Sequence, residues 1–427
     1  MRVALFTNKF PGLVNSFISR DIVSLLEAGV DVDLFPVYPP DHSLWRYVPE
    51  SYRKRMREEV PVHHCRALDA FRGGMRGFFS SPAGVTAISR KVIGHSLRIG
   101  ARQTAKSCYA ISYGATASRT AASTFDLVLA YWGNYCATSA LVFQMLSQRH
   151  APFSLFLHAG IDLYRDRIYL AEKLRHAKNI VVVCSFNRDF LQAAYPELYP
   201  TIASKIYVHH LGLDLAEYGF TRASRPQRII GVGRFCPAKG FDVLIRAMSI
   251  VRSRGLAVEL TLVGDGPSLA DYKRLASQLK VTDYIRFVGW CSPEKAKEEI
   301  ANSIVLGHPS TGLGDAVPTV IKEAMALGTP VVASQVAGIP ELLDGGSCGL
   351  LVVPGDAESL ANALQMVIVN EDLRWRLSLS ARVRAEELFD MWKNGRRLAR
   401  LLRANAGSSE SATGAVNTLA PADHASR

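Results

Sequence analysis

The chain has 427 residues, which at roughly 100–200 residues per domain implies two or three domains with cores of their own. With 48% hydrophobic and 21% charged residues its composition is that of a globular protein, which excludes a mostly disordered or fibrous chain. The net charge of +12 comes from 50 basic against 38 acidic residues, and where that excess sits says more than its size.

Residues 2–8 read as a strand, 16–28 as a helix that Gly29 stops, and 31–37 as a second strand. The chain enters the first strand directly, with neither the apolar region nor the small-residue cleavage site of a secretory signal. No run of 18 uncharged apolar residues follows, so a cytoplasmic protein without a spanning helix is expected. The charge excess comes next. Between residues 46 and 119 there are 14 Lys/Arg, among them Arg53, Lys54, Arg55, Arg57, Arg90 and Lys91, against four acids, Glu50, Glu58, Glu59 and Asp69. Trp45, Phe71, Phe78, Phe79 and Ile88 are interleaved with them. Val85, Ile88, Val92 and Ile99 share one helical stripe beside Lys91, Arg98 and Arg102. Such a basic amphipathic helix either lies on an anionic membrane or packs its apolar side on the domain. No nucleic-acid-binding motif accompanies the stretch, so nucleic acid is not an expected partner.

Strand-like runs return at 126–131, 153–158 and 179–184, an alternation with helices that reads as a parallel sheet covered on both faces. After 219–227, rich in Arg, Ser and Pro, a second series begins at 228–232, 258–263, 284–288, 303–306, 329–333 and 349–353. Two doubly wound α/β domains follow, over 1–218 and 228–385, with ligand expected in the cleft at the carboxyl ends of their strands. Residues 371–402 are helical and basic in pattern, and 407–427, rich in Ser, Ala and Thr, read as disordered. The seven cysteines, Cys65, Cys108, Cys136, Cys184, Cys236, Cys291 and Cys348, are scattered and never at metal-ligand spacing, so neither zinc nor a disulfide framework is expected.

Two clusters carry chemistry. Gly231, Gly233, Arg234, Lys239 and Gly240 follow a strand, where a glycine-rich turn lets backbone amides approach phosphate while Arg234 and Lys239 neutralise it. The segment lacks both the third glycine of a dinucleotide fingerprint and the order of a P-loop. A tight turn with two exposed cations stands as the alternative. The second cluster runs from Gly312 through Gly314, Asp315 and Pro318 to Glu323 and Gly328. Pro318 fits a first helical position and Gly328 a helix stop, so the helix between them offers an anion site at its amino end. Asp315 and Glu323 beside such a site suit sugar and ribose hydroxyls better than phosphates. The alternative makes one a loop acid favoured by the helix dipole and the other a solvated helix residue.

In their order along the chain these pieces, with Gly264-Asp-Gly-Pro267 and the run from Glu323 to Ala333, resemble the retaining glycosyltransferases of family 4, which have the GT-B fold. The match continues at 337–341 and 349–355 and, in the amino-terminal half, at 156–162, 184–187 and 208–214. Ser16, Phe17 and Ile18, with Pro318 after the acid, are similar to the exopolysaccharide and colanic-acid branch. The resemblance implies two Rossmann-like domains facing a cleft, with a C-terminal helix at 386–406 returning to the first. It implies that Arg234 and Lys239 hold the donor diphosphate and that Glu323 binds the ribose. Asp315 takes the first place of the family's Glu-x7-Glu pair at the donor sugar. It is one methylene shorter than the usual Glu, and Ala316 stands where Gly is frequent. Gly12, Gly233, Gly264, Gly266, Gly312 and Gly314 would line the donor site, with Pro11 beside Gly12. His158 would face the cleft from the acceptor side; a satisfied core histidine is the alternative.

On this resemblance the expected protein is a metal- and cofactor-independent hexosyltransferase. It would move a sugar from a UDP- or GDP-sugar, with retention, to a polyprenyl-diphosphate-linked or surface glycan. The anionic inner face of the plasma membrane is the expected location. A transferase with a small soluble acceptor and a non-catalytic GT-B-fold binding protein are the alternatives.

Overall fold

The computed structural model describes residues 1–12, 16–48, 50–65, 83–121, 123–147, 150–160, 162–165, 167–220 and 225–406. Segment 66–82 with Phe71, Phe78 and Phe79, residues 221–224 of the expected linker, the 407–427 tail and the side chain of Val85 lie outside the described residues.

The amino-terminal sheet contains β1 (Arg2–Thr7), β2 (Asp31–Pro36), β3 (Leu127–Ala130), β4 (Phe153–Leu157), β5 (Asn179–Val182) and β6 (Ile206–Val208), in the order β2-β1-β3-β4-β5-β6 and parallel throughout. Side chains alternate across it. Val3 and Leu5 of β1 enter a core layer with Ile18 and Ile22 of α1 (Ser16–Glu27) and Met56 of α2 (Glu50–Glu59). Ala4 and Phe6 enter the opposite layer, with α3 (Ala83–Ile99) outside it, Tyr113 of α4 (Ala101–Thr120) and Phe143 of α5 (Tyr135–Leu146). Both faces are covered, which is why these strands read as nearly unbroken apolar runs. The shorter α6 (Leu170–His176) and α7 (Ser185–Ala194) flank β5.

The second sheet contains β7 (Arg228–Val232), β8 (Glu259–Val263), β9 (Ile285–Gly289), β10 (Val305–His308), β11 (Val331–Ser334) and β12 (Leu350–Val352), again parallel, in the order β12-β11-β10-β7-β8-β9. It is covered by α8 (Phe241–Ser253), α9 (Leu269–Gln278), α10 (Pro293–Ala301), α11 (Thr319–Leu327), α12 (Ala357–Val369) and α13 (Glu371–Leu388). Strand order reverses at β7, so loops leaving β7 and β10 diverge and open a crevice at their carboxyl ends. The α/β architecture of two doubly wound parallel sheets is as expected.

Four details differ from the sequence reading. The edge strand β6 was not anticipated; it has three half-buried residues and little apolar signal. Strand β10 runs to His308, two residues beyond the expected end. Pro318 caps α11 from outside, with extended ψ, where a first helical position was expected. The basic pattern over 371–402 is two helices, and the expected helix 386–406 starts only at Met391. Phe389 is buried in the second core, and Asp390 accepts the N–H groups of Trp392 and Lys393 at 2.9 Å each, which begins a new helix, α14 (Met391–Ala406). Helix α14 packs on α1 of the first domain. A side chain at Gly395 would place its Cβ 2.3 Å from Ser24 Oγ, so the two backbones approach closely only with glycine there.

The described part of the basic stretch is divided between two faces of the first sheet. Helix α2 lies on one face of the first sheet and α3 and α4 on the other. In α3, Val92 is fully buried against Ala110, Tyr135 and Ile168, with Ile88 packed beside it, so these two residues of the expected amphipathic stripe face protein. Leu97 and Ile99, at 64% and 39% exposure, are the exposed large hydrophobic residues among the described side chains of that helix.

Candidate active site

The turns after β7 and β8 touch backbone to backbone. Gly233 N–H donates to Val263 O at 3.0 Å and Phe235 N–H to Asp265 O at 2.8 Å. A Cβ on Gly264 would lie 1.9 Å from Gly233 O, and one on Gly266 2.3 Å from Phe235 O. Both glycines also have positive φ, so two independent demands select glycine at each position. This brings Gly233, Arg234, Gly264 and Gly266 together at the carboxyl edge of the sheet. Arg234 is exposed.

Lys239 ends a short 3-10 turn whose Ala238 carbonyl accepts N–H groups from Thr311 and Gly312 at 3.0 and 3.2 Å. That tether lays the loop carrying Gly312, Gly314 and Asp315 beside Lys239. Lys239 Nζ donates to both oxygens of Asp315, each at 2.7 Å, and His308 Nε2 lies 2.8 Å from Oδ2. Burial alone would raise the Asp315 carboxyl; His308 and Lys239 outweigh it and hold the group well below the usual carboxylate range. His308, buried at the end of β10, was missed because the expected strand stopped short of it.

From the other domain the loop after β4 meets this one: a Cβ on Gly314 would sit 3.8 Å from Gly160 Cα. Two residues before Gly160, His158 stacks on Phe156 and lies against Trp132, with ring centroids 4.6 and 4.3 Å apart. Its backbone is clamped: the His158 N–H donates to Asp162 Oδ2 at 3.0 Å, and Asn187 Nδ2 donates to the His158 carbonyl. Both ring nitrogens are buried and, among the described residues, without a hydrogen-bond partner. Burial pushes the imidazole down to about 3, so it is neutral. A satisfied core histidine is therefore not what the structure contains. Gly12 is buried in the β1–α1 connection, next to Pro11.

Glu323, in the second turn of α11, points at the first domain. Tyr218 O–H donates to its Oε1 at 3.2 Å, and Arg20 of α1 places Nη2 3.9 Å from the same oxygen. Burial raises this carboxyl, against the pull of Arg20 and Tyr218. A solvated helix residue is thus excluded for Glu323. Arg20 and Tyr218 were not singled out from the sequence, where they look like an ordinary helix cation and loop aromatic. A second bridge between the domains joins Glu341 to the Ser185 N–H and to His210 Nε2, each at 2.7 Å.

The family of glycosyl transferases group 1 matches residues 220–384. The chain carries a glycosyltransferase group 1 domain. The amylovoran biosynthesis glycosyltransferase AmsK of Erwinia amylovora is 26% identical over 94% of this chain and 99% of its own. Among solved structures, HepE of Anabaena in complex with UDP superposes with a TM-score of 0.66, at 19% identity over 94% of this chain and 99% of that one. A glycosyltransferase of Rickettsia africae superposes with a TM-score of 0.67, at 17% identity over 96% and 99%. The fold is GT-B, and the group 1 domain contains Arg234, Lys239, Asp315 and Glu323.

Proposed function

We propose that the protein transfers a hexosyl unit from a UDP- or GDP-sugar to a lipid-linked or surface polysaccharide, with retention at the anomeric carbon. The observation that carries this reading is the set of groups at the carboxyl ends of the two sheets. Lys239, Asp315 and the amino end of α11 stand on one side, and the partnerless ring of His158 stands on the other. Arg234, Lys239 and the α11 dipole are suited to a diphosphate and to the charge that develops as it leaves, without a metal ion. On this reading Asp315 would meet the sugar hydroxyls and Glu323 the ribose hydroxyls. In a front-face displacement the bond from the anomeric carbon to the phosphate oxygen breaks as the acceptor oxygen bonds to the same face. The acceptor proton passes to the leaving phosphate. Contact between the two domains excludes water that would otherwise hydrolyse the donor. The acceptor assignment draws support from AmsK, an amylovoran biosynthesis enzyme, and the donor assignment from HepE, solved with UDP.

Docking on the inner face of an anionic membrane belongs to the same proposal. It draws on exposed Arg90, Lys91, Arg98 and Arg102 around Leu97 and Ile99. The test is calorimetry in chelator against UDP, GDP, ADP and their sugar conjugates. Binding of one base, weakened by Glu323→Ala, is the expected result, and no binding to any of them overturns the reading.

A further inference from the structure

Glu323 is held from outside its own domain. Arg20 Nη2 donates to Tyr218 Oη at 3.3 Å, Tyr218 in turn donates to Glu323 Oε1, and Arg20 also faces that oxygen directly at 3.9 Å. The three residues come from α1, from the crossover between domains and from α11, and all are largely buried. Among the described residues these contacts are to Oε1, which leaves Oε2 to accept a ligand hydroxyl. Among the described residues the buried Arg20 Nε and Nη1 meet no partner, so these residues do not complete the shell of this cation. A buried carboxylate without an opposite charge drifts toward its neutral form, which accepts hydroxyl hydrogen bonds poorly.

We propose that Arg20 is a positioning residue for the donor nucleotide, acting across the cleft. It keeps Glu323 ionised and, through Tyr218, fixes the carboxylate with Oε2 turned to the ribose. Because Arg20 rides on the first domain, the Glu323 site is complete only when the domains are closed. Nucleotide binding and closure are therefore linked through this one contact. The neighbouring Asp21 extends the same helix turn to the acceptor side, where it accepts from Tyr131 and lies 3.5 Å from His209 Nε2. The inference rests on the nucleotide-sugar reading above and adds to it a residue of the opposite domain.

The experiment is calorimetry with whichever of UDP, GDP or ADP binds the wild-type protein, applied to Arg20→Gln, Arg20→Lys, Glu323→Gln and the Arg20→Gln/Glu323→Gln double variant. Arg20→Gln should weaken binding by about tenfold or more, as loss of a charge-assisted contact does. Arg20→Lys should recover part of it. The double variant should bind no more weakly than Glu323→Gln alone, because Arg20 acts through that carboxylate. A second readout is the pH profile of binding. Glu323 is faced by Arg20 of α1, Tyr218 of the crossover, Lys297 of α10 and Lys322 of its own helix, and Arg20 in turn by Tyr52 of α2 and Glu217 of the crossover. Its carboxyl rises when Arg20 is removed, so affinity should fall away at a higher pH in Arg20→Gln than in the wild type. Wild-type affinity in Arg20→Gln, or losses that add in the double variant, would overturn the proposal. Should Arg20→Gln not fold, Tyr218→Phe interrupts the same relay and must weaken binding and shift the profile in the same direction. If the wild type binds none of the nucleotides, it is the nucleotide-sugar reading that falls.

Discussion

Lys239 and Asp315 form a bidentate ion pair, with Nζ 2.7 Å from each carboxylate oxygen, and His308 takes a second share of Oδ2. On the proposed reading these two residues have different tasks, the cation for the diphosphate and the acid for the sugar. A diphosphate must therefore compete with Asp315 for Lys239, and this separates the roles experimentally. Asp315→Asn should bind a nucleoside diphosphate as tightly as wild type, or up to about tenfold more tightly. Its transfer rate should nevertheless fall. Lys239→Ala should lose both, with about 2–4 kcal/mol less transition-state stabilisation. Calorimetry and initial rates on the two variants decide it; weaker diphosphate binding in Asp315→Asn would refute the competition.

The contact between domains gives a second prediction. Gly338 has φ −83° and ψ 1°, a backbone conformation that alanine adopts without strain. Its missing side chain nevertheless matters, since a Cβ would lie 2.4 Å from Ala316 O and 2.9 Å from Cys184 Sγ of the first domain. Gly338→Ala should displace the loop after β10 and hold the domains apart. We expect a melting temperature close to wild type and weaker nucleotide binding, because the Arg20 contact to Glu323 is made only between closed domains. The turnover number should fall by about 10–100-fold, as misplacement near 1 Å does. Unchanged turnover would show that the contact is not needed in the catalytic state.

What could be read ahead of the structure follows the physics of each feature. Strands buried on both faces announced themselves as apolar runs, while β6, with three half-buried residues at a sheet edge, did not. Gly264 and Gly266 were legible only through the family resemblance, and the structure supplies the reason, a backbone approach at their turns that admits no side chain. The Lys239–Asp315 pairing was not, because 76 positions separate the partners and only the tether to Ala238 brings them together. Arg20 and Tyr218 gave no local signal at all; their meaning arises when two domains meet.

Membrane docking is testable at α3. Its Ile88 and Val92 are occupied by protein contacts, so binding to lipid at this helix draws on Arg90, Lys91 and Arg98 with Leu97 and Ile99, together with Arg102 at the start of α4. Replacing the four cations by Gln should reduce sedimentation with anionic vesicles by about 10²–10³-fold, at about 1 kcal/mol per cation near the surface. Leu97→Ser with Ile99→Ser should have a smaller effect that salt does not mimic. Nucleotide binding should be the same in all these variants. Equal sedimentation of wild type and the Gln variant would remove α3 from the proposal.

His158 links site geometry to acid stability. Its folded-state value of about 3 lies below the 6.5 of a free histidine, because burial disfavours the charged ring. The unfolded chain therefore binds a proton that the folded chain refuses. The stability this gives is fully present above pH 6.5 and is lost as pH falls from there toward 3, at about 1.4 kcal/mol per pH unit. His158→Phe retains a ring against Phe156 and Trp132 but cannot titrate. Between pH 7 and pH 5 the wild type should lose about 2 kcal/mol relative to this variant in urea unfolding. Asp162, which accepts the His158 N–H and is raised by burial to about 6, titrates in both proteins, so the difference reports on His158. Transfer should meanwhile fall in His158→Phe at every pH, because the ring nitrogens that meet no protein partner are the groups removed. A variant with full activity would leave those two buried nitrogens without a ligand and return His158 to a packing role.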